Sequence, residues 1–288
     1  MSMTIVNMSL LSLRQRFFTE TEDVHVVYGY AVTIFERNGQ QIGYSINGSG
    51  AAILAFHGTT QSGNAWDQVR GAATEDRTWI SFEFPGSGES SLPDKPIELL
   101  DIVDDALALM SHLGHETFHV VGYSLGAVAA LQTAARAPHR VQTITSLCGW
   151  SQTDARMRMT FDLWRRLIAI SPELFMRYAL VDGYTPQTLE ILEPIADGAV
   201  AMAATAVQPG SDAHLELDCR IDIEDQLVKI SSPCLVIGGL EDRWVDISKS
   251  RHLASVIPQA TLIEMPAGHL VIGEMASEIA AHVVRHTA

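Results

Sequence analysis

The sequence predicts an α/β protein: a mostly parallel, eight-stranded sheet with helices on both faces and one inserted all-helical segment. Three observations carry this expectation. Short apolar runs such as 51–56 and 233–238 have the pattern of strands buried on both faces. They alternate with amphipathic stretches at helical spacing, which calls for right-handed crossovers between parallel strands. Finally, His119-Val-Val-Gly-Tyr-Ser124-Leu-Gly-Ala127 reads as strand, tight turn and helix in immediate succession.

In chain order, 31–37 alternates and meets Asn38-Gly39, a strong two-residue hairpin signal, and 41–46 returns as its antiparallel partner. The run 51–56 is the first buried strand. It ends in His57-Gly58-Thr59-Thr60, before a polar loop and a helix around Trp66. Residues 77–82 form the next strand, followed by Glu83-Phe84-Pro85-Gly86-Ser87-Gly88 and a helix over 97–113. The strand leading to Ser124 and its Ala-rich helix come next, then a strand over 141–147. From 149 to 220 no buried strand occurs. Amphipathic stretches carry Met157, Phe161, Trp164 and Phe175, and Pro172, Pro186 and Pro194 start or separate helices. The sheet resumes with 233–238 and 260–264, each followed by a helix, over 247–256 and 271–286. The expected domains are therefore an N-terminal extension (1–30), a core built from 31–148 and 221–288, and a helical cap (149–220).

A chain of 288 residues with 47% hydrophobic content is sufficient for one large core. A net charge of −15 argues against nucleic acid and anionic membrane surfaces as partners, because phosphates would be repelled. Cys148, Cys219 and Cys234 cannot all pair and fit no zinc spacing, so a disulfide-free, cytoplasmic protein without metal is expected. No run reaches the ~20 apolar residues of a membrane helix, so no membrane insertion is expected. The N-terminal stretch lacks a leading basic region and a cleavage site, and no signal peptide is expected.

In a parallel sheet, ligands bind beyond the carboxyl ends of the strands, where Ser124, Asp242 and His269 all fall. A serine hydroxyl needs a base with a pKa near operating pH, which points to histidine, and a carboxylate to fix the imidazole. Among the acids after 233–238, Asp242 is preferred over Glu241 and Asp246. Oxyanion donors are expected from the backbone N–H groups of Leu125 and Thr59, with Thr60 as second choice. His57 reads as a structural residue below the site. Tyr123, Trp150, Met157, Phe161 and Trp164 are candidates for binding substrate. Arg156, Arg158, Arg165, Arg166 and Arg177 read first as solvated helix faces, with recognition of a substrate carboxylate as the alternative.

Together, His57-Gly58, Gly86-Ser87-Gly88, Gly122-Tyr123-Ser124-Leu125-Gly126, Gly239-Leu240-Glu241-Asp242 and Gly268-His269 resemble the α/β-hydrolase superfamily over residues 30–285. The resemblance implies Ser124 as nucleophile, His269 as base and Asp242 as its partner, and it likens the insertion to the cap of the esterase, lactonase and aminoacrylate-hydrolase branch. One departure is visible: Glu83-Phe84-Pro85 stands where many members carry an Asp-x-Arg turn. The expected activity is cofactor-free hydrolysis of a largely apolar ester, lactone or thioester through an acyl-enzyme. The alternatives are acyl transfer or cyclisation, lyase, perhydrolysis or carbon–carbon hydrolysis on the same residues, and a non-catalytic binding module. Substrate identity and oligomeric state are left open by the sequence.

Overall fold

The computed structural model describes residues 24–27, 30–73 and 77–288. Among these, the strands are β1 (Val24–Val27), β2 (Tyr30–Arg37), β3 (Gln40–Gly48), β4 (Ala51–Phe56), β5 (Arg77–Phe82), β6 (Phe118–Tyr123), β7 (Val141–Leu147), β8 (Cys234–Gly239) and β9 (Ala260–Met265). They form one sheet in the order β1-β2-β3-β5-β4-β6-β7-β8-β9. Pairing is parallel from β5 through β9 and antiparallel among β1, β2, β3 and β5. The eight expected strands are present. A ninth, β1, lies in the segment the sequence assigned to an extension, and the rest of that segment up to residue 23 lies outside the described residues. The β2–β3 hairpin turns at Asn38 and Gly39 with φ of 53° and 75°, the mirror-image turn that suits the twist of paired strands.

Alternation along the strands divides the core into two layers. Leu54, Phe56, Val120 and Val236 face one side, under α2 (Leu99–His112), α3 (Leu125–Arg136) and α9 (Ile247–Val256). Ile53, Val121, Tyr123 and Ile237 face the other, under α1 (Asp67–Ala72), α10 (Val271–Glu274) and α11 (Ala276–His286). The last helical stretch, expected as one helix, is broken at Met275, whose φ of −129° departs from the helical value. Helix α3 is buried from Leu125 through Ala134, and its alanines let it lie close against the sheet.

Between β7 and β8 the chain leaves the sheet as α4 (Ala155–Ile170), α5 (Pro172–Gly183), α6 (Pro186–Leu192), α7 (Ala196–Ala204) and α8 (Ser211–Arg220). Asp154, Ser171 and Thr185 cap α4, α5 and α6 through their side chains, and Pro172 and Pro186 occupy first-turn positions where a missing N–H costs nothing. Helix α8 crosses the loop after β5 at backbone distance. Gly210 N–H donates to Gly86 O (2.8 Å), and a Cβ on Gly86 would fall 2.6 Å from Gly210 Cα.

The strand order reverses around β4: β5 lies on one side of it and β6 on the other. The loops leaving β4 and β6 therefore diverge and open a crevice at the carboxyl edge. The turn into α3 is tight. A Cβ on Gly122 would lie 2.0 Å from Gly126 O, and one on Gly126 would lie 2.2 Å from Phe56 O. Gly126→Ala is therefore expected to cost on the order of 3 kcal/mol or more in urea unfolding, whereas Gly71→Ala, in open space within α1, should stabilise by roughly 0.5–1 kcal/mol. Equal, small effects of the two substitutions would contradict this packing.

Candidate active site

Ser124 follows β6 and precedes α3 with φ 56° and ψ −120°, a strained conformation for a residue bearing a Cβ. The strain is held by neighbours that cannot move: Ser124 N–H donates to Leu147 O (2.9 Å), and Ser124 O accepts from Ala127 and Val128 as the helix begins. The hydroxyl is thereby lifted beyond the strand end and the Leu125 amide is left at the first position of α3, where helix geometry provides no acceptor.

The structure brings the three residues predicted for chemistry into one hydrogen-bonded line. Ser124 Oγ lies 3.0 Å from His269 Nε2, and His269 Nδ1 lies 2.7 Å from Asp242 Oδ2. In the tautomer this implies, Nδ1–H donates to the carboxylate and Nε2 accepts from the serine. Asp242 Oδ1 accepts from the backbone N–H groups of Trp244 (2.9 Å) and Val245 (2.8 Å), so the carboxylate cannot rotate freely. The rivals are elsewhere: Glu241 is exposed, and Asp246 caps α9 by accepting from Ser248 N–H. Tyr123 and Trp244 flank the imidazole, with ring centroids 5.3 and 4.8 Å away, and Tyr123 Oη–H donates to His269 O (3.1 Å). Glu274 carries part of the same loop, accepting from Gly268 N–H (2.6 Å) with one oxygen and from Thr185 with the other.

Facing Ser124 is the loop after β4. Gly58 O accepts from both the His57 ring Nδ1–H (2.8 Å) and Gln61 N–H (3.2 Å). A trans peptide points its N–H opposite its C=O, so locking this carbonyl also directs the Thr59 N–H. Among the described residues, neither the Thr59 nor the Leu125 amide has an acceptor. His57 is structural, as expected: its Nε2 accepts from Phe84 N–H (3.1 Å), and burial pushes its pKa down to about 3, so the ring is neutral. The departure at Glu83 is also explained. Its carboxyl accepts from Gly63 N–H (3.0 Å) and fills the space over Gly88, where a Cβ would meet it at 2.7 Å; burial raises its pKa to about 7.

Ser124, His269 and Thr59 open onto a cavity of about 400 Å³ roofed by α5–α7 and lined largely by apolar side chains. Of the predicted substrate-binding residues, Tyr123 and Trp164 line it. Trp150, Met157 and Phe161 do not. Trp150 is fully buried, its indole N–H donating to Thr153 Oγ1 (2.8 Å), and Phe161 packs between it and Trp164 at centroid distances of 6.0 and 5.6 Å. The apolar stripe of α4 turns into the junction with the sheet, and only Trp164 reaches through. Phe175, Met176, Leu180, Val200 and Trp244 also line the cavity, and of these Leu180, Val200 and Trp244 carry no signal in the sequence. The arginines of the insertion are engaged elsewhere, Arg165 with Asp212, Arg166 with Asp162, Arg177 with Asp197, and Arg156 and Arg158 with backbone carbonyls. Among the described residues, no Lys or Arg lines the cavity. A larger groove of about 610 Å³ between β3 and the start of α2 contains none of Ser124, Asp242 and His269.

Cys148, Asp242 and His269 bring potential ligand atoms within 4.8 Å of one another. They do not suit a metal: burial holds the Cys148 thiol well above its usual pKa and therefore protonated, and His269 Nδ1 is already engaged by Asp242.

Asp218, on α8, is fully buried, and burial raises its pKa to about 8. Its Oδ2 accepts from Thr59 Oγ1–H (2.7 Å) and its Oδ1 has no partner. An uncharged carboxyl tolerates that situation far better than a carboxylate does. Because the folded-state pKa lies above the unfolded value, the folded protein binds the extra proton between about pH 4 and 8, and stability falls as pH rises through that window. Asp218→Asn should therefore gain stability over the parent with increasing pH, by at most roughly 1.4 kcal/mol per unit, levelling above pH 8. Urea unfolding at pH 5, 6.5 and 8 checks this; a pH-independent difference would contradict it.

Residues 51–188 match the family model described as the α/β-hydrolase fold. The chain is 30% identical over 236 residues to a pyrrolizixenacetamide deacetylase of Xenorhabdus hominickii, spanning 80% of this chain and 88% of that one. Among solved structures it superposes on MGS-M2, an α/β-hydrolase enzyme from a Medee basin deep-sea metagenome library (TM-score 0.80, 22% identity, 88% and 96% of the two chains). It likewise superposes on the enol-lactonase of Burkholderia xenovorans LB400 (TM-score 0.77, 20% identity, 88% and 98%). With sheet order, elbow and matched sequence in agreement, the chain belongs to the α/β-hydrolase superfamily and is one of its hydrolases.

Proposed function

We propose that the protein is a serine hydrolase that cleaves an uncharged, largely apolar acyl substrate of the ester, lactone or thioester type through an acyl-enzyme. The observation that carries this is the hydrogen-bonded line from Asp242 through His269 to Ser124, ending at the mouth of an apolar cavity. Ser124 Oγ attacks the carbonyl carbon as His269 Nε2 takes its proton. Asp242 stabilises the imidazolium through Nδ1–H. The oxyanion accepts from the Leu125 and Thr59 amides, donors in place before charge develops. His269 then returns the proton to the leaving group and activates water for the second half-reaction. The helical insertion acts as a cap whose inner face binds the acyl group.

Among the described residues the cavity wall carries no Lys or Arg, which favours neutral over carboxylate-bearing acyl groups, since an unpaired carboxylate there would lose its hydration without compensation. A second reading, amide deacetylation on the same residues, is favoured by the 30%-identical relative named as a deacetylase. It differs only in that His269 must protonate a nitrogen leaving group. Comparing p-nitrophenyl acetate with acetanilide separates the two.

Ser124→Ala should abolish turnover of p-nitrophenyl butyrate without unfolding the protein, and Asp242→Asn should lower kcat by roughly 10³–10⁴. Glu241→Gln should leave the rate unchanged. Retained activity in Ser124→Ala, or loss in Glu241→Gln, would refute these roles. In a substrate series, kcat/KM for butyryl esters should exceed that for hemisuccinyl esters of the same alcohol by at least tenfold; the opposite order would refute the neutral acyl pocket.

A further inference from the structure

The oxyanion donors differ in how they are held. Leu125 N–H is fixed by the helix it begins, whereas Thr59 N–H belongs to a loop residue followed by Thr60 at φ 66°. Its peptide is secured on the carbonyl side by His57 and Gln61. On the Thr59 side, the side-chain bond runs to a residue 159 positions away, Asp218 on α8. We propose that Asp218 is a positioning residue of the oxyanion loop: its buried carboxyl, reaching from the helical insertion, grips the Thr59 hydroxyl and so fixes the Thr59 amide toward the cavity into which Ser124 opens. This assignment rests on Ser124 acting as the nucleophile.

The backbone that carries this carboxyl is itself held in place. Asp218 O accepts from Thr153 Oγ1–H (2.6 Å), and that hydroxyl accepts from the indole of fully buried Trp150 (2.8 Å). Thr153 N–H donates to Ile221 O (3.0 Å), which ties the end of α8 to the segment leaving β7. Further along the same face, His214 donates through Nε2 to Pro85 O (2.8 Å), Gly210 N–H donates to Gly86 O (2.8 Å), and Gln208 N–H donates to Thr60 O (3.4 Å). Helix α8 is thereby docked on the loops after β4 and β5, with Asp218 at the point nearest the proposed oxyanion donor. A threonine whose hydroxyl is held cannot rotate about its φ without breaking a buried bond, so the amide direction is fixed from both ends. Asp218 touches no reacting atom; it acts through Thr59.

The test uses the full-length protein, p-nitrophenyl butyrate turnover, and circular dichroism with thermal melts to confirm folding. Asp218→Ala should lower kcat by 10–100-fold with KM within twofold, less than the 10²–10³ that deletion of an oxyanion donor costs, because the amide is misaimed rather than removed. Asp218→Asn, which still accepts from the hydroxyl, should keep kcat within about threefold. Thr59→Val should reproduce the Asp218→Ala loss, Thr59→Ser should restore it, and the Asp218→Ala/Thr59→Val double variant should lose no more than either single one. If Asp218→Ala fails to fold, the Thr59→Val and Thr59→Ser pair with Asp218→Asn carries the test. Parental kcat in folded Asp218→Ala or in Thr59→Val, or losses that multiply in the double variant, would overturn the proposal. If Ser124→Ala is inactive while those variants behave as the parent, only the role of Asp218 fails; turnover by Ser124→Ala would mean that the nucleophile itself is wrongly assigned.

Discussion

The arrangement depends on one steric constraint, the close passage of backbone against backbone where β6 becomes α3. With Gly122 against Gly126 O and Gly126 against Phe56 O, there is no room for a side chain at either position. This contact forces the positive φ of Ser124, lifts its hydroxyl out of the sheet, and sets the first turn of α3 against the strand end of β4. The neighbouring loops inherit their distances from it. His269 and Thr59 can reach the hydroxyl because the strands that deliver them are registered to β6, directly for β4 and through β7 and β8 for β9.

On that base, the site is assembled from two clasps between the insertion and the sheet. One lies at the histidine loop, where Glu274 holds Gly268 and Thr185 together and Leu270 N–H donates to Gly183 O (3.0 Å). The other lies at the loop after β4, where α8 meets Thr59, Thr60, Pro85 and Gly86. Between the clasps, α5–α7 roof the cavity with apolar side chains, while Arg177 of α5 pairs with Asp197 of α7 on the outer surface. A floor rigid in the sheet and a roof pinned at both ends suit a binding space whose polar contacts are confined to the reacting end.

The sequence makes legible whatever depends on short-range pattern. Strands at 51–56 and 233–238 are visible because both faces are buried and the runs are continuous. Ser124, Asp242 and His269 are visible because each lies at or just past the carboxyl end of a strand. What pattern cannot convey is which neighbour an apolar face meets. Met157, Phe161 and Trp164 form one stripe on α4, yet two of them enter the junction with the sheet and one enters the cavity. Asp218 carries no signal at all: nothing near it announces a partner 159 residues earlier, and its composition reads as an ordinary helix acid. β1 escaped notice because edge strands lack the buried continuous pattern, and Glu83 was visible only as a departure whose filling of the space over Gly88 requires coordinates.

The central claim is that Ser124 becomes covalently acylated. Treating the protein with a fluorophosphonate and mapping the adduct by peptide mass spectrometry tests this most directly. The account predicts a single phosphonylated residue, Ser124, with labelling abolished in His269→Ala. Labelling at another residue, or an unlabelled Ser124 in folded protein, would contradict it.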